Sequence, residues 1–126
     1  NIKVKPYLYN MPQAMAIADL AIFRAGATGL AELTAKGIPA ILVPYPYAAE
    51  NHQEHNARAV EKAGAARVIL NKDLTAQGLI QAIDELIGKP EKLQAMAEAS
   101  AKLGRPEAAD TISELIIELA RGRQNC

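Results

Sequence analysis

The chain has 126 residues, 50% of them apolar, and its 14 basic side chains balance 14 acidic ones. This length suits one domain with its own core, and the zero net charge argues against nucleic acid as a partner. The single cysteine, Cys126, excludes an internal disulfide framework and fits a reducing compartment, so we expect a cytoplasmic protein.

Strands and helices are predicted to alternate along the first 70 residues. Apolar runs predict strands over residues 2–9, 20–23, 40–43 and 66–70. Helical spacing predicts helices between them, at about 11–18, 28–36 and 52–63. The run from Ala40 to Val43 does not alternate with polar residues, as expected of a strand buried on both faces. This order predicts an α/β fold: a Rossmann-like parallel sheet of about four strands flanked by helices.

Beyond residue 70 the pattern predicts helices alone. The segment from Thr75 to Ile87 carries an apolar stripe that includes both Leu86 and Ile87. Pro90 and Pro106 begin two further helices. We therefore expect a single domain without internal repeats. Its predicted parts are a β/α core over 1–70, C-terminal helices over 71–120 and a tail over 121–126.

A small-residue turn from Ala25 to Gly29 joins the second predicted strand to its helix. Such a turn aims unpaired backbone N–H groups and the positive end of the helix dipole at one point, and Gly26 has no side chain to block a diphosphate there. Glu32 lies about one turn into the helix, where its carboxylate could accept hydrogen bonds from two sugar hydroxyls. The same turn equally fits close helix–strand packing, with Glu32 as a solvated acid that complements the dipole.

Polar and aromatic residues also follow the third predicted strand, between Tyr45 and Asn56. In open α/β sheets, ligands bind where the strands end. Arg24 is the cation nearest to the small-residue turn. It could bind a phosphate, or it could equally be a structural partner for an acid such as Glu32 or Glu50.

His52 and His55 lie one helical turn apart, with Glu54 beside them, which is a weak indication of a metal site. The HExxH order is absent and no third ligand has a typical spacing, so we expect neither a metal nor another cofactor. No Ser/His/Asp or Cys/His arrangement indicates a nucleophile, because both serines lie in the C-terminal helices.

The run FRAGATGLAELTAKGIPAILVPYPYAAENHQEHNARAVEKAGAA resembles the C-terminal part of the bacterial MurG family, as do MPQAMAIADL before it and LGRPEAADTISELI after it. These enzymes are UDP-N-acetylglucosamine:undecaprenyl-pyrophosphoryl-muramoyl-pentapeptide N-acetylglucosaminyltransferases of peptidoglycan synthesis. The resemblance covers essentially the whole chain. It implies part of the C-terminal, donor-binding domain of a GT-B fold, from an enzyme peripheral on the inner face of the cytoplasmic membrane. The family's N-terminal acceptor domain has no counterpart in the chain, so we expect this part to be inactive alone.

The resemblance also implies roles for individual residues, none of them catalytic. Leu8, Met11, Arg24, Gly26, Ala27, Thr28 and Gly29 would bind the nucleotide and its diphosphate. Glu32 would hold the ribose hydroxyls, and His52, Gln53 and Asn56 would contact the N-acetylglucosamine. The family frequently has glutamine where His52 stands, so this residue departs from the pattern.

The four predicted strands would match the third to sixth of a Rossmann-like order 3-2-1-4-5-6, which leaves a gap beside residues 20–23. A gap exposes a strand edge. We expect either that residues 2–9 close onto this edge or that a second copy or another chain fills it. The expected partners are UDP-N-acetylglucosamine, an acceptor domain or partner chain, and a second copy at this edge. The alternatives are a donor-binding subunit of a split glycosyltransferase and an excised folding module with a relict site.

Overall fold

Three short parallel strands lie at the centre of the computed structural model, which describes residues 2–46, 52–104, 117 and 119–121. The strands are β1 (Ala21–Phe23), β2 (Ala40–Leu42) and β3 (Ala66–Val68), in the spatial order β1-β2-β3. In the register of the sheet, Ala40 is opposite Ala21 on one side and Ala66 on the other. The flanking helices of the described residues are α1 (Met11–Ala16), α2 (Ala27–Ala35), α3 (His52–Lys62), α4 (Ala76–Ile87) and α5 (Pro90–Leu103). The predicted α/β class with a parallel sheet is confirmed.

Strand β2 separates two apolar clusters because its side chains alternate across the sheet. Ala40 and Leu42 belong to the larger cluster, with residues of α2 and α3. Ile41 belongs to the smaller cluster, with residues of α4 and α5. All three β2 residues are fully buried. A strand with apolar contacts on both faces needs no polar positions, which is why its continuous apolar run identified it.

The predicted helix ends are confirmed where the chain reverses direction. Gly37 and Gly64 follow α2 and α3 with φ of 65° and 87°, a region that residues with a side chain rarely occupy. Pro90 is the first residue of α5, where its missing N–H has no partner to lose. At the start of α4, the Gly78 N–H donates a hydrogen bond to Thr75 Oγ1 at 3.0 Å.

The strand predicted over residues 2–9 is wrong. This segment pairs with no strand of the described residues, and Ile2 and Val4 are each 91% exposed. Among the described residues, the sheet therefore has three strands rather than about four, and residues 2–9 do not close onto β1. A parallel crossover needs about 10–12 residues including its helix. Only residues 10–20, with the six-residue helix α1, connect the segment to β1, which is close to that minimum.

Helix α5 packs against α2 and α4 and so joins the two apolar clusters. Its residue Met96 belongs to the smaller cluster, and Ala99 packs against the larger one. Ser100 is fully buried, and its hydroxyl donates a hydrogen bond to the Ile38 carbonyl at 3.0 Å. This bond ties α5 to the loop that leads into β2.

A salt bridge joins β3 to α4 at the surface. Arg67 Nη1 lies 2.6 Å from Glu85 Oε2, and the hydrogen bond from Arg67 lowers the pKa of Glu85. A carboxyl group whose pKa is lower in the folded state stabilises the fold above its unfolded pKa, and this stabilisation is lost as the pH falls through the folded pKa. Because both side chains are about 40% exposed, the contribution is small.

Two predicted elements lie largely outside the described residues: the helix that begins at Pro106 and the tail from residue 121 onward. In the described part of the chain, no helix is long and apolar enough to cross a membrane.

Candidate functional site

Helix α2 begins at the small-residue turn without a capping side chain. Gly26 is its N-cap residue, and the first backbone hydrogen bond runs from the Leu30 N–H to the Gly26 carbonyl at 2.9 Å. The N–H groups of the three residues between them have no acceptor within the helix. A Cβ built on Gly26 would meet no heavy atom of the described residues within 4 Å. In the described part of the chain, nothing therefore blocks the space beside Gly26 at the positive end of the helix, where an anion could bind.

The absence of a side chain at Gly29 has a different consequence. A Cβ at this position would lie 2.6 Å from Phe23 Cε2, so the absent side chain lets α2 approach β1 closely. This is the helix–strand packing that the turn was also expected to allow. The two glycines of one turn thus have different surroundings: an aromatic ring packs at Gly29, whereas none of the described residues fills the space at Gly26.

A mostly apolar groove of about 350 Å³ lies between α1, β1 and α2. Met11, Gly29 and Glu32 all line it, so the structure brings these three predicted site residues together. Glu32 is exposed, and within the described residues its carboxylate has no hydrogen bond or salt bridge. The carboxylate is therefore available to accept hydrogen bonds from a ligand in the groove.

Other predicted site residues line two further grooves. Asn56 and Ala27 line a second groove, of about 330 Å³, between α2 and α3. Leu8 lines a third groove, of about 600 Å³, with residues of α1 and of the N-terminal segment. The structure therefore divides these predicted residues among three grooves, of which only the first two are lined by α2.

The first turn of α3 is tied to the loop that follows β2. Gln53 Oε1 accepts a hydrogen bond from the Tyr45 N–H at 2.8 Å. His52, the first residue of α3, is exposed. Gln53 thus lies at the carboxyl edge of the sheet, as predicted from the turn after the third predicted strand.

Arg24 connects the ends of all three strands at this edge. Its Nη1 donates hydrogen bonds to Asn71 Oδ1 at 2.8 Å and to the Val43 carbonyl at 3.4 Å. Its Cζ lies 5.7 Å from the centroid of the Tyr45 ring, within the range of a cation–π interaction. Val43 and Tyr45 follow β2, and Asn71 follows β3. The guanidinium therefore has structural partners. They are a side-chain amide, a backbone carbonyl and an aromatic ring, rather than the acid considered from the sequence.

Neither acid considered from the sequence is shown as a partner of Arg24: Glu32 lies in the groove described above, and Glu50 is outside the described residues. Asn71 is the residue that the sequence reasoning missed. A positional signal was available, because the carboxyl ends of parallel strands share one edge and Asn71 follows the third strand closely. Among the described residues, no group of three His, Cys, Asp or Glu side chains could hold a metal ion.

A family model described as the glycosyltransferase family 28 C-terminal domain matches residues 1–112. Two curated relatives carry the name UDP-N-acetylglucosamine–N-acetylmuramyl-(pentapeptide) pyrophosphoryl-undecaprenol N-acetylglucosamine transferase. The one from Halothermothrix orenii is 58% identical over 120 residues, which cover 95% of this chain and 32% of that protein. The one from Desulforamulus reducens is 52% identical over 124 residues, covering 98% and 33%.

Solved structures agree with this result. The crystal structure of MurG from Acinetobacter baumannii has a TM-score of 0.83 and 32% identity, covering 92% of this chain and 33% of that one. The glycotransferase of kitacinnamycin has a TM-score of 0.60 and 27% identity, covering 80% and 26%. The chain thus spans about a third of the length of the curated relatives that it matches.

Proposed function

The chain belongs to the glycosyltransferase family 28 C-terminal domain family, and we propose that it is the UDP-N-acetylglucosamine-binding part of a MurG-type N-acetylglucosaminyltransferase of lipid II synthesis. One observation carries the proposal. Among the residues that the structure describes, nothing blocks the uncapped start of α2 at Gly26, and about one turn later Glu32 presents to a groove a carboxylate that none of them bonds. A nucleoside diphosphate sugar has a group for each: a diphosphate for the N–H groups and ribose hydroxyls for the carboxylate.

In this proposal the diphosphate lies in front of α2. The backbone N–H groups of Ala27, Thr28 and Gly29 would donate hydrogen bonds to its oxygens, and the helix dipole would favour its negative charge. Because Gly26 carries no side chain, the phosphate can approach the backbone directly. No metal is required for this arrangement, since the fixed N–H groups supply the positive charge.

The nucleoside would occupy the groove between α1 and α2. Glu32 would accept hydrogen bonds from both ribose hydroxyls, which a carboxylate can do with its two oxygens. Met11 lines the same groove and would contact the uracil. Leu8 lines the neighbouring third groove, and we propose that its backbone reads the polar edge of the base from there. The apolar lining around Met11 suits a planar base.

The N-acetylglucosamine would lie toward α3. Gln53 and Asn56 offer amide groups there, and exposed His52 offers an imidazole. Because Gln53 Oε1 is bonded to the Tyr45 N–H, the sugar would meet the Gln53 Nε2 group, which is a donor. We propose this set as the contacts of the sugar.

The proposed chemistry is an inverting transfer. A hydroxyl of the acceptor attacks the anomeric carbon, the bond to the UDP oxygen breaks, and a base that this chain does not supply takes the proton. The start of α2 would stabilise the negative charge that develops on the leaving diphosphate. Since the acceptor and base come from another domain or chain, we expect this chain alone to bind the donor weakly and to transfer nothing. The proposed location is the cytoplasmic face of the membrane.

The proposal is tested by calorimetric titration of the purified chain with UDP-N-acetylglucosamine and with UDP-glucose. We expect saturable binding that prefers the N-acetyl sugar. The Glu32→Gln variant should weaken it by about 1–3 kcal/mol, or about 5–150-fold, because hydrogen bonds to a charged acceptor are lost.

The matched control is Asp84→Asn, which removes an exposed acid from α4 and should leave the affinity unchanged. Equal weakening by both variants would indicate a general charge effect. An absence of binding at millimolar ligand would contradict the donor-site proposal and favour the folding module with a relict site.

We also propose that a second copy of this chain could pair with the outer edge of β1, as an alternative to another domain or partner chain. Among the described strands β1 pairs only with β2, and Ile22 on β1 is 43% exposed. An unpaired edge can pair with the same edge of another molecule. If it does, native mass spectrometry should show a dimer that Ile22→Lys returns to a monomer. A monomeric wild-type chain would contradict the dimer and leave this edge to an acceptor-bearing domain or partner chain.

A further inference from the structure

We propose that Arg24 is a positioning residue for the sugar end of the donor site and that it acts through Tyr45 on Gln53. The inference rests on the proposed donor binding. It assigns Arg24 a role that differs from direct contact with the diphosphate. Three linked contacts support it: Arg24 with Asn71, Arg24 with the Tyr45 ring, and the Tyr45 N–H with Gln53.

The first step concerns the guanidinium itself. Its Nη1 is bonded to Asn71 Oδ1 at 2.8 Å and lies 3.4 Å from the Val43 carbonyl oxygen. A guanidinium is planar and rigid, so bonds at one edge set the plane of the whole group. Asn71 and Val43 follow two different strands. The position and orientation of the Arg24 side chain are therefore determined by the sheet.

The second step passes from Arg24 to Tyr45. The guanidinium carbon lies 5.7 Å from the centroid of the Tyr45 ring, so the plane of Arg24 sets where this ring packs. Pro44 and Pro46 flank Tyr45, and a proline ring holds its own φ near −65°. The two prolines stiffen the backbone on both sides of Tyr45, so this short segment moves largely as one unit. The contact of its ring with Arg24 therefore helps to hold the whole segment, including the Tyr45 N–H, against the start of α3.

The third step passes from the Tyr45 N–H to Gln53. This N–H donates to Gln53 Oε1 at 2.8 Å. The primary amide has an acceptor on one side and a donor on the other, so the bond at Oε1 decides that Nε2 is the group presented outward. Without the bond, the amide can turn over and present either group. Arg24 thus sets the polarity of the amide that would meet the N-acetylglucosamine.

The test compares two ligands, UDP and UDP-N-acetylglucosamine, by calorimetry. In the Arg24→Gln variant we expect the affinity for UDP to change less than about 2-fold and the affinity for UDP-N-acetylglucosamine to fall about 3–10-fold, as for one lost hydrogen bond. Arg24→Lys should behave like Arg24→Gln, because an ammonium keeps the charge but lacks the planar fork that meets Asn71 and Tyr45 together. The control is Arg67→Gln, which removes the arginine of β3 that forms the salt bridge with Glu85 of α4. It should alter neither affinity.

A second readout does not depend on any ligand. Hydrogen exchange of the Tyr45 amide, followed by NMR, should be faster in Arg24→Gln than in the wild-type chain, because the bond to Gln53 is weakened. Unchanged exchange at Tyr45 would overturn the proposal. An equal loss of affinity for UDP and for UDP-N-acetylglucosamine would also overturn the proposal, because it would assign Arg24 directly to the diphosphate. If the wild-type chain binds neither ligand, the proposed function fails and the sugar-positioning role fails with it, whereas the exchange measurement still reports whether Arg24 controls the Tyr45 bond.

Discussion

Replacing Gly104 with alanine is expected to lower the free energy of unfolding by about 3 kcal/mol, at the upper end of the usual range for overpacking. Gly104 ends α5 where it meets the last turn of α2. A Cβ there would lie 2.6 Å from the Thr34 carbonyl carbon and 2.9 Å from Ala35 Cα. Both are backbone atoms, so no side-chain rotation can relieve the contact. The two helices would have to move apart.

The measurement is urea unfolding of the purified chain followed by circular dichroism. Gly104 has φ of −66° and ψ of 143°, which alanine adopts readily, so any loss reports space rather than backbone conformation. Gly26→Ala is the control, because nothing described lies within 4 Å of its added Cβ. It should cost less than about 1 kcal/mol, the difference between glycine and alanine at an N-cap. Equal stability of the Gly104→Ala variant and the wild-type chain would show that α5 does not approach α2 this closely.

Replacing Leu86 with alanine is expected to cost about 2–5 kcal/mol, because a buried leucine side chain is lost and a cavity remains. Leu86 is 1% exposed and packs in the smaller cluster with Ile41, Ala82 and Met96. Its neighbour Ile87 is 58% exposed. The Ile87→Ala variant should therefore cost less than about 1 kcal/mol, since it removes surface that is largely in water already.

The pair is measured side by side in the same urea titration. The two substitutions fall on adjacent residues of α4 and remove apolar side chains of similar size, so helix propensity affects them similarly. A loss for Ile87→Ala as large as that for Leu86→Ala would contradict the orientation of α4 on the sheet.

This pair also shows where sequence periodicity was sufficient and where it was not. The spacing of apolar residues predicted α4 and its ends correctly, because a helix depends on residues three and four apart. The same spacing placed Leu86 and Ile87 on one buried stripe. Only the packing of α4 on Ile41 decides which part of that stripe is covered. The sheet and α5 cover α4 over a narrower arc than its apolar pattern occupies, since Ile80 and Ile87 are each 58% exposed.

The N-terminal segment shows the same limit for strands. Residues 2–9 have the composition of a strand, but a strand exists only when a partner pairs with it. The chain between this segment and β1 is short, and the described residues offer no other partner. Strands β2 and β3 were predicted correctly because helices long enough for a crossover connect them to their neighbours.

For the candidate site, the sequence correctly predicted the turn at the start of α2 and the position of Glu32 about one turn into that helix. It could not distinguish Gly26 from Gly29, because both are glycines of one turn. The structure distinguishes them by what lies opposite: the Phe23 ring contacts Gly29, whereas no atom of the described residues lies within 4 Å of a Cβ at Gly26.

The amino-acid sequence by itself determined the alternation of strands and helices, the glycine and proline helix ends and the family resemblance, because each depends on residues close together along the chain. Only the tertiary structure decided the partners of Arg24, the contact of Ser100 with Ile38 and the need for glycine at position 104. In each of these cases the interacting residues are distant in sequence. Their separation in space is set by how the sheet and all its helices pack together, and no local pattern of residues records it.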